Sequence, residues 1–417
     1  MPLKMEAESL KRLSQKSLKR SLHLLSPQFP RPDPKTKTIR LSHQESGEVS
    51  GIIIKSKTLQ VAQPSIANQD TRQGTQNSLL VGPSMFPSSP RIRIPSSSSS
   101  SGFRSHRPWK MYRFISGHKG SVMSVAFDPS NRWFCTGSAD RTIKIWDLAS
   151  GTLKLSLTGH IGQIRGLAVS KRTPYMFSAA DDKQVKCWDL EHNRVNKSFH
   201  GHSSGIYCLA LHPTDDNILV TGGRDSVCRV WDIRSCQQTL ALSGHDNTVC
   251  SVFTRPTDPQ VVTGSHDSTI RFWDIRNSGK AMSTLTHHKK SVRAMALAPD
   301  PRDHSFVSAS TDNIKKFNLP RGEFLHNYYV LPQKKNTSGI INSMAVNEDG
   351  VLATAGDSGS LWFWDWKSGY NFQQAHTIAQ PGSLDSEESI FALAYDVTGT
   401  RLVTCEADKT IKMWRQA

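Results

Sequence analysis

Residues Gly117–Asp147 read GHKGSVMSVAFDPSNRWFCTGSADRTIKIWD, and the reading of this stretch decides the architecture. A Gly-His pair opens it, and a Trp-Asp pair closes it at Trp146-Asp147. Between them lie short runs of alternating apolar and polar residues separated by turn residues, with no helical period. The same landmarks return along the chain: Gly159-His160, Asp182 and Trp188-Asp189; Gly201-His202, Asp225 and Trp231-Asp232; Gly244-His245, Asp267 and Trp273-Asp274. A worn fifth copy has His287-His288, Asp312 and Phe317-Asn318. A sixth keeps Asp357 and Trp364-Asp365 without a Gly-His, and a seventh is read from His376, Asp408 and Trp414-Arg415. Successive Trp or Phe landmarks stand 42 to 50 residues apart.

A repeat of this period is that of WD40 proteins, and seven copies predict an all-β fold: a seven-bladed WD40 β-propeller preceded by a long, disordered, basic N-terminal arm. One four-stranded blade cannot bury both its faces alone; stacked radially, seven can. The chain stops three residues after Trp414, where a third strand should end. Lys110–Ile115 is a strand-like segment left over before the first Gly-His. The propeller is therefore expected over 109–417, with 110–116 supplying the missing outer strand of the last blade.

Charge and composition separate the arm, residues 1–108, from the ring. Residues 1–110 hold 18 Lys/Arg against 6 Asp/Glu, so most of the chain's net +17 lies there. Leu10, Leu13, Leu18, Leu22 and Leu25 would fall on one side of a short helix at about 8–25, stopped by Pro27, Pro30, Pro32 and Pro34. The remainder, ending in Ser96–Ser101, is too polar to bury a core against its ordering entropy. Two readings of the arm stand side by side: a solvated tail, or a ligand for anionic surfaces including RNA. Lys11-Arg12 and Lys16 to Arg20 fit either an import signal or a solvated face. A mitochondrial presequence is opposed by Glu6 and Glu8. No apolar run reaches the ~18 residues of a membrane span, and no membrane partner is expected. Seven cysteines without a C-x-x-C pair read as reduced thiols.

His118, Ser138, Asp140 and Trp146 invite a catalytic reading. The structural one is stronger, because in WD40 blades such a set forms a buried network in which Asp accepts from His, His bonds Ser and Ser meets the indole. The fourth repeat has His245, Ser265, Asp267 and Trp273. Ala180 and Gly223 stand where Ser is expected in the second and third, so those networks are expected to be incomplete. A pattern recurring in several blades is not one catalytic constellation. There is no zinc-ligand spacing and no phosphate-binding glycine loop. Neither catalysis, a metal nor a cofactor is expected.

Beyond the generic repeat, Ser138–Gly151 (SADRTIKIWDLASG), Leu153–His160 (LKLSLTGH), Asp182–Leu190 (DKQVKCWDL) and His288–Arg293 (HKKSVR) resemble the pleiotropic regulator 1 family. So do Gly369–Gln373, His376 and the insertion Gln380–Glu387 (QPGSLDSE), which the repeat itself does not require. The likeness covers roughly 107–417. It implies a nuclear, non-catalytic WD40 subunit of the nineteen complex, acting as a scaffold in pre-mRNA splicing at spliceosome activation. A Myb-domain protein and a U-box ubiquitin ligase would be its neighbours, and the arm would thread along protein or small nuclear RNA. Family members often carry a longer arm and a basic tail, whereas this chain stops at Ala417; Leu331–Thr337 stands where a Gly-His would open blade six.

Three positions per WD40 blade usually line the narrow upper face. Here they are Gln163, Arg165 and Asp181, Tyr207 and Arg224, then His266, Arg293, Asn342 and Phe391. Arginines and aromatics among them are interface anchors. A rival function, substrate receptor of a cullin–RING ubiquitin ligase, rests on two W-D-x-R motifs for docking the ligase adaptor. These are Trp231, Asp232 and Arg234, then Trp273, Asp274 and Arg276.

Overall fold

The computed structural model describes residues 106–417 apart from 277–278, 301, 312 and 329–338. The arm, with its expected helix at about 8–25, lies outside the described residues, as do Asp312 and Leu331–Thr337. Seven four-stranded antiparallel sheets follow one another around a ring. The first comprises Val122–Phe127, Trp133–Ser138, Thr142–Asp147 and Leu153–Thr158, called strands a to d from the channel outward. Strands a of the other blades begin at Ile164, Ile206, Val249, Val292, Ile341 and Ile390.

Burial explains why the ring forms. Strand b of blade one is almost wholly buried, whereas strand d shows most of its side chains to solvent. Inner strands are therefore apolar on both sides, and each side meets a neighbouring sheet. The core is divided into seven clusters, one per blade junction: Cys135, Ile143 and Leu157 of blade one, for instance, pack on Ile164, Met176 and Trp188 of blade two. Strand b of one sheet meets strand a of the next at close range. A Cβ placed on Gly137 would fall 2.5 Å from a methyl of Ile164, so the second-last place in that strand requires a residue without a side chain.

The seventh junction closes the circle. Trp109–Ser116 pairs antiparallel with Thr410–Gln416, from Trp109 opposite Gln416 to Ser116 opposite Thr410. One sheet thus contains strands from both ends of the chain. Ile115 and Ile411 pack with Val122, Phe134 and Trp146 of blade one. On the other side Trp109 stacks on Phe363 of blade six with ring centroids 5.6 Å apart. The Gln373 side chain pairs with both backbone groups of Trp109, accepting from its N–H at 2.6 Å and donating to its carbonyl at 2.7 Å. His106 adds a 3.0 Å bond to Asp365.

Deleting 109–116 would uncover the whole edge of Thr410–Gln416 and empty the Trp109 site. The expected outcome is loss of soluble, cooperatively melting protein; a shortened chain with a normal thermal transition would refute the role of this strand.

Candidate interaction face

Each well-kept blade contains one buried polar chain. In blade one, His118 Nδ1 lies 2.9 Å from Asp140, and both His118 Nε2 and the Trp146 indole nitrogen lie 2.8 Å from Thr136 Oγ1. A carboxylate only accepts, so the imidazole holds its proton on Nδ1. The Thr136 hydroxyl then donates to Nε2 and accepts from the indole, and every member is satisfied. This corrects the expected part of Ser138, which instead donates to the Gly120 carbonyl and accepts from the Asp140 N–H. Ser265 makes the equivalent turn bonds, and Thr263 joins His245, Asp267 and Trp273. The hydroxyl therefore sits two residues before the expected position. The second and third networks are complete through Ser178 and Thr221, and Ala180 and Gly223 do not interrupt them.

Blade seven departs further. His376 ends strand d of blade six with its side chain largely exposed, and it does not enter a blade-seven network. In place of a histidine, buried Lys412 bonds Glu406 and the Ile378 carbonyl. Trp414 still donates to Thr404. Burial pushes the Glu406 carboxyl up to about 7 against the pull of Lys412.

Burial alone would raise the carboxyls of Asp182 and Asp225. Hydrogen bonds and charge from His160 and His202, with backbone N–H donors, outweigh it and hold both at about 2. These folded values lie below the ordinary 3.8, so the stabilisation is complete above about pH 4 and is lost as the pH falls toward 2.

A second regularity builds the channel. In every blade, strand a shifts register after its first residue. The skipped residues are Met123, Arg165, Tyr207, Cys250, Arg293, Asn342 and Phe391, and all seven line a central cavity of about 500 Å³. A bulge takes one residue out of the ladder and re-aims its side chain; here it makes one ring. Two residues on, Leu167, Leu209, Val252, Met295, Met344 and Leu393 form an aliphatic belt in the same cavity.

Five upper-face candidates thus share the bulge ring: Arg165, Tyr207, Arg293, Asn342 and Phe391. Arg165 donates to Asp181 at 2.7 Å and stacks over Tyr207, 4.3 Å from the ring centre. Arg293 donates to Asn342 at 3.2 Å, and Asn342 donates to the Ile390 carbonyl. His266 also lines the cavity; burial and then the Arg293 charge lower its pKa. Gln163 and Arg224 stand exposed, outside the cavity lining. Sequence reasoning omitted Met123 and Cys250. Both directly follow the Val or Ile that opens strand a, as the other five do.

The W-D-x-R motifs lie at the opposite ends of the sheets. Trp231 and Trp273 are buried donors to Thr221 and Thr263. Asp232 accepts from the Arg234 N–H, and Asp274 from that of Arg276. The Arg276 guanidinium pairs with Asp258 and Asp274, and that of Arg234 stands 3.9 Å from Asp232; both arginine side chains are largely exposed.

Repeating sheets, a His–hydroxyl–Trp chain in four blades and ends sealed into one sheet define a WD40-repeat β-propeller. The family described as WD domain, G-beta repeat matches residues 109–147 and 378–415, and that described as Nucleolar protein 10-like, N-terminal domain, matches 162–327. The chain is 54% identical over 457 residues to Protein pleiotropic regulator PRL2 of Arabidopsis thaliana, covering 99% of this chain and 93% of that protein. It is 56% identical over 311 residues to Pleiotropic regulator 1 of Homo sapiens (75% of this chain, 59% of that protein). It is 46% identical over 314 residues to Pre-mRNA-splicing factor PRP46 of Candida glabrata (75% and 71%). This chain belongs to the pleiotropic regulator family.

Two measurements check the networks. Thr136→Ala leaves both an imidazole nitrogen and an indole N–H without partners and should cost roughly 1–3 kcal/mol for each. Ser138→Ala should cost about 1 kcal/mol; a urea midpoint that moved more for Ser138→Ala would reverse the assignment. Separately, the melting temperature should fall as the pH is taken from about 4 to about 2, and Asp182→Asn with Asp225→Asn should flatten that part of the profile.

Proposed function

We propose that this chain is a non-catalytic scaffold in pre-mRNA splicing: a nuclear WD40 subunit of the nineteen complex that acts in spliceosome activation. The observation that carries the reading is identity of 46–56% to relatives that include a named pre-mRNA-splicing factor, extending in one case over 99% of the chain. The chemistry of the ring favours holding over turnover. Four histidines and four aspartates, His118–Asp140, His160–Asp182, His202–Asp225 and His245–Asp267, are spent on buried chains repeated from blade to blade, and a catalytic site needs one unique set. What differs between blades is the bulge ring, and a ring of unlike side chains on rigid strands is suited to recognition. Spliceosomal proteins, among them a Myb-domain protein and a U-box ligase, would engage the upper face. The basic arm would add salt-sensitive contacts to protein or small nuclear RNA.

The test is recovery of partners from nuclear extract with Arg165, Arg224 and Arg293 together changed to Ala. The melting temperature should hold while recovery of splicing proteins falls several-fold; unaltered recovery would remove the upper face from the proposal. The ligase-receptor reading predicts a different result: cullin and its adaptor, lost on Arg234→Ala.

A further inference from the structure

Two arginines enter the channel mouth, one from blade two and one from blade five, and their charge is only partly answered. Arg165 has its counter-ion in Asp181 and its packing surface in Tyr207. Arg293, entering from blade five, has no counter-ion among the described residues. One Nη donates to the neutral amide of Asn342, its buried Nε–H has no partner, and no described carboxylate pairs with it. Cys250 lies in the bulge ring near enough to feel both guanidinium charges, and His266 feels that of Arg293. Below this corner the wall turns aliphatic through Leu209, Val252 and Met295.

A half-buried guanidinium with an unused N–H is the costly half of an ion pair. An arriving anion would find a donor fork already held by Asn342, in a cavity where a charge-assisted bond is stronger than in open water. The type of anion follows from what surrounds the fork. Of the two arginines that line the cavity, Arg165 has its carboxylate and Arg293 has none among the described residues, which suits a single negative charge better than a phosphate dianion. The aliphatic belt offers a sugar-phosphate strand nothing, but it suits an apolar side chain beside the acid. Exposed Gln163 and Arg224 elsewhere on the face would meet a segment that crosses the mouth.

We infer that the channel mouth is a receptor for an Asp or Glu side chain of an extended partner segment, with the carboxylate on Arg293 and a neighbouring aliphatic residue on the belt below. This rests on the interaction-face reading above and specifies its chemistry.

The experiment uses the full chain and four immobilised pools of N-acetylated hexapeptides with varied neutral flanks. Three pools are C-terminally amidated and fix the central residue as Glu, Gln or phosphoserine; the fourth has no acidic side chain but a free C-terminal carboxylate. Capture of the Glu pool should exceed the Gln pool by about tenfold, the scale of one charge-assisted pair. Arg293→Gln should bring that ratio to about one. Asn342→Asp, which places a carboxylate of the protein's own on Arg293, should do the same, and it keeps the test decisive if Arg293→Gln fails to fold. Equal capture of Glu and Gln pools, a Glu preference surviving either folded variant, or stronger capture of the phosphoserine or free-carboxylate pool would each overturn the inference. Wild-type recovery of splicing proteins is measured in parallel. If that recovery holds while the Glu pool is ignored, the carboxylate assignment alone falls; if recovery fails, the scaffold reading falls with it.

Discussion

No sheet in this protein can be stable by itself, and the remaining structure follows from that constraint. Inner strands such as Trp133–Ser138 and Val351–Gly356 are buried on both sides, so each blade depends on two neighbours and the array must close or leave two apolar faces in water. Closure brings together strands nearly three hundred residues apart in the chain. It is secured laterally as well as by the ladder, because Trp109 is inserted beside Phe363 and Tyr395 while Gln373 takes up both of its backbone groups. Loss of that one strand therefore exposes a junction, and a ring of nearest-neighbour interfaces has no second core to fall back on.

Within that frame the polar chains act as rivets. Each joins the loop before strand a to strands b and c through groups that could not be buried unpaired. The repeat tolerates a different solution where the histidine is absent. Blade seven buries a Lys–Glu pair instead, with Lys412 reaching the Ile378 carbonyl in the connection from blade six. The cost of burying two charges is offset only by near-complete hydrogen bonding. Removing either partner would thus be worse than never having had the pair.

The period of the repeat, the number of blades and the segment that closes them were all legible in the sequence, because Trp-Asp and Gly-His landmarks recur at nearly constant spacing. The hydroxyl of the network was not. Thr136 and Ser138 lie on the same face of one strand, and alternation cannot separate positions two apart. The choice is made by cross-strand register. Phe134 lies opposite Trp146, so the indole reaches diagonally to Thr136, while Ser138 is left at the strand end to close the turn. His376 misled for a related reason: it ends one strand rather than opening the next blade, and no local signal separates those two places.

The bulge at the head of strand a explains how a ring this demanding still leaves room for function. The residue before it is Val122, Ile164, Ile206, Val249, Val292, Ile341 or Ile390, always β-branched and packed at a blade junction, Val249 against Gly222 of blade three. The residue at the bulge itself is Met, Arg, Tyr, Cys, Arg, Asn or Phe. None of these seven side chains belongs to the apolar clusters between the sheets, so a change of identity there leaves those clusters filled. Adjacent positions are thereby held to different standards: one must fill a core, and the next is free to be selected for what it meets in the channel. Seven such free positions, fixed in mutual geometry by the closure of the ring, are what this fold has available for recognition.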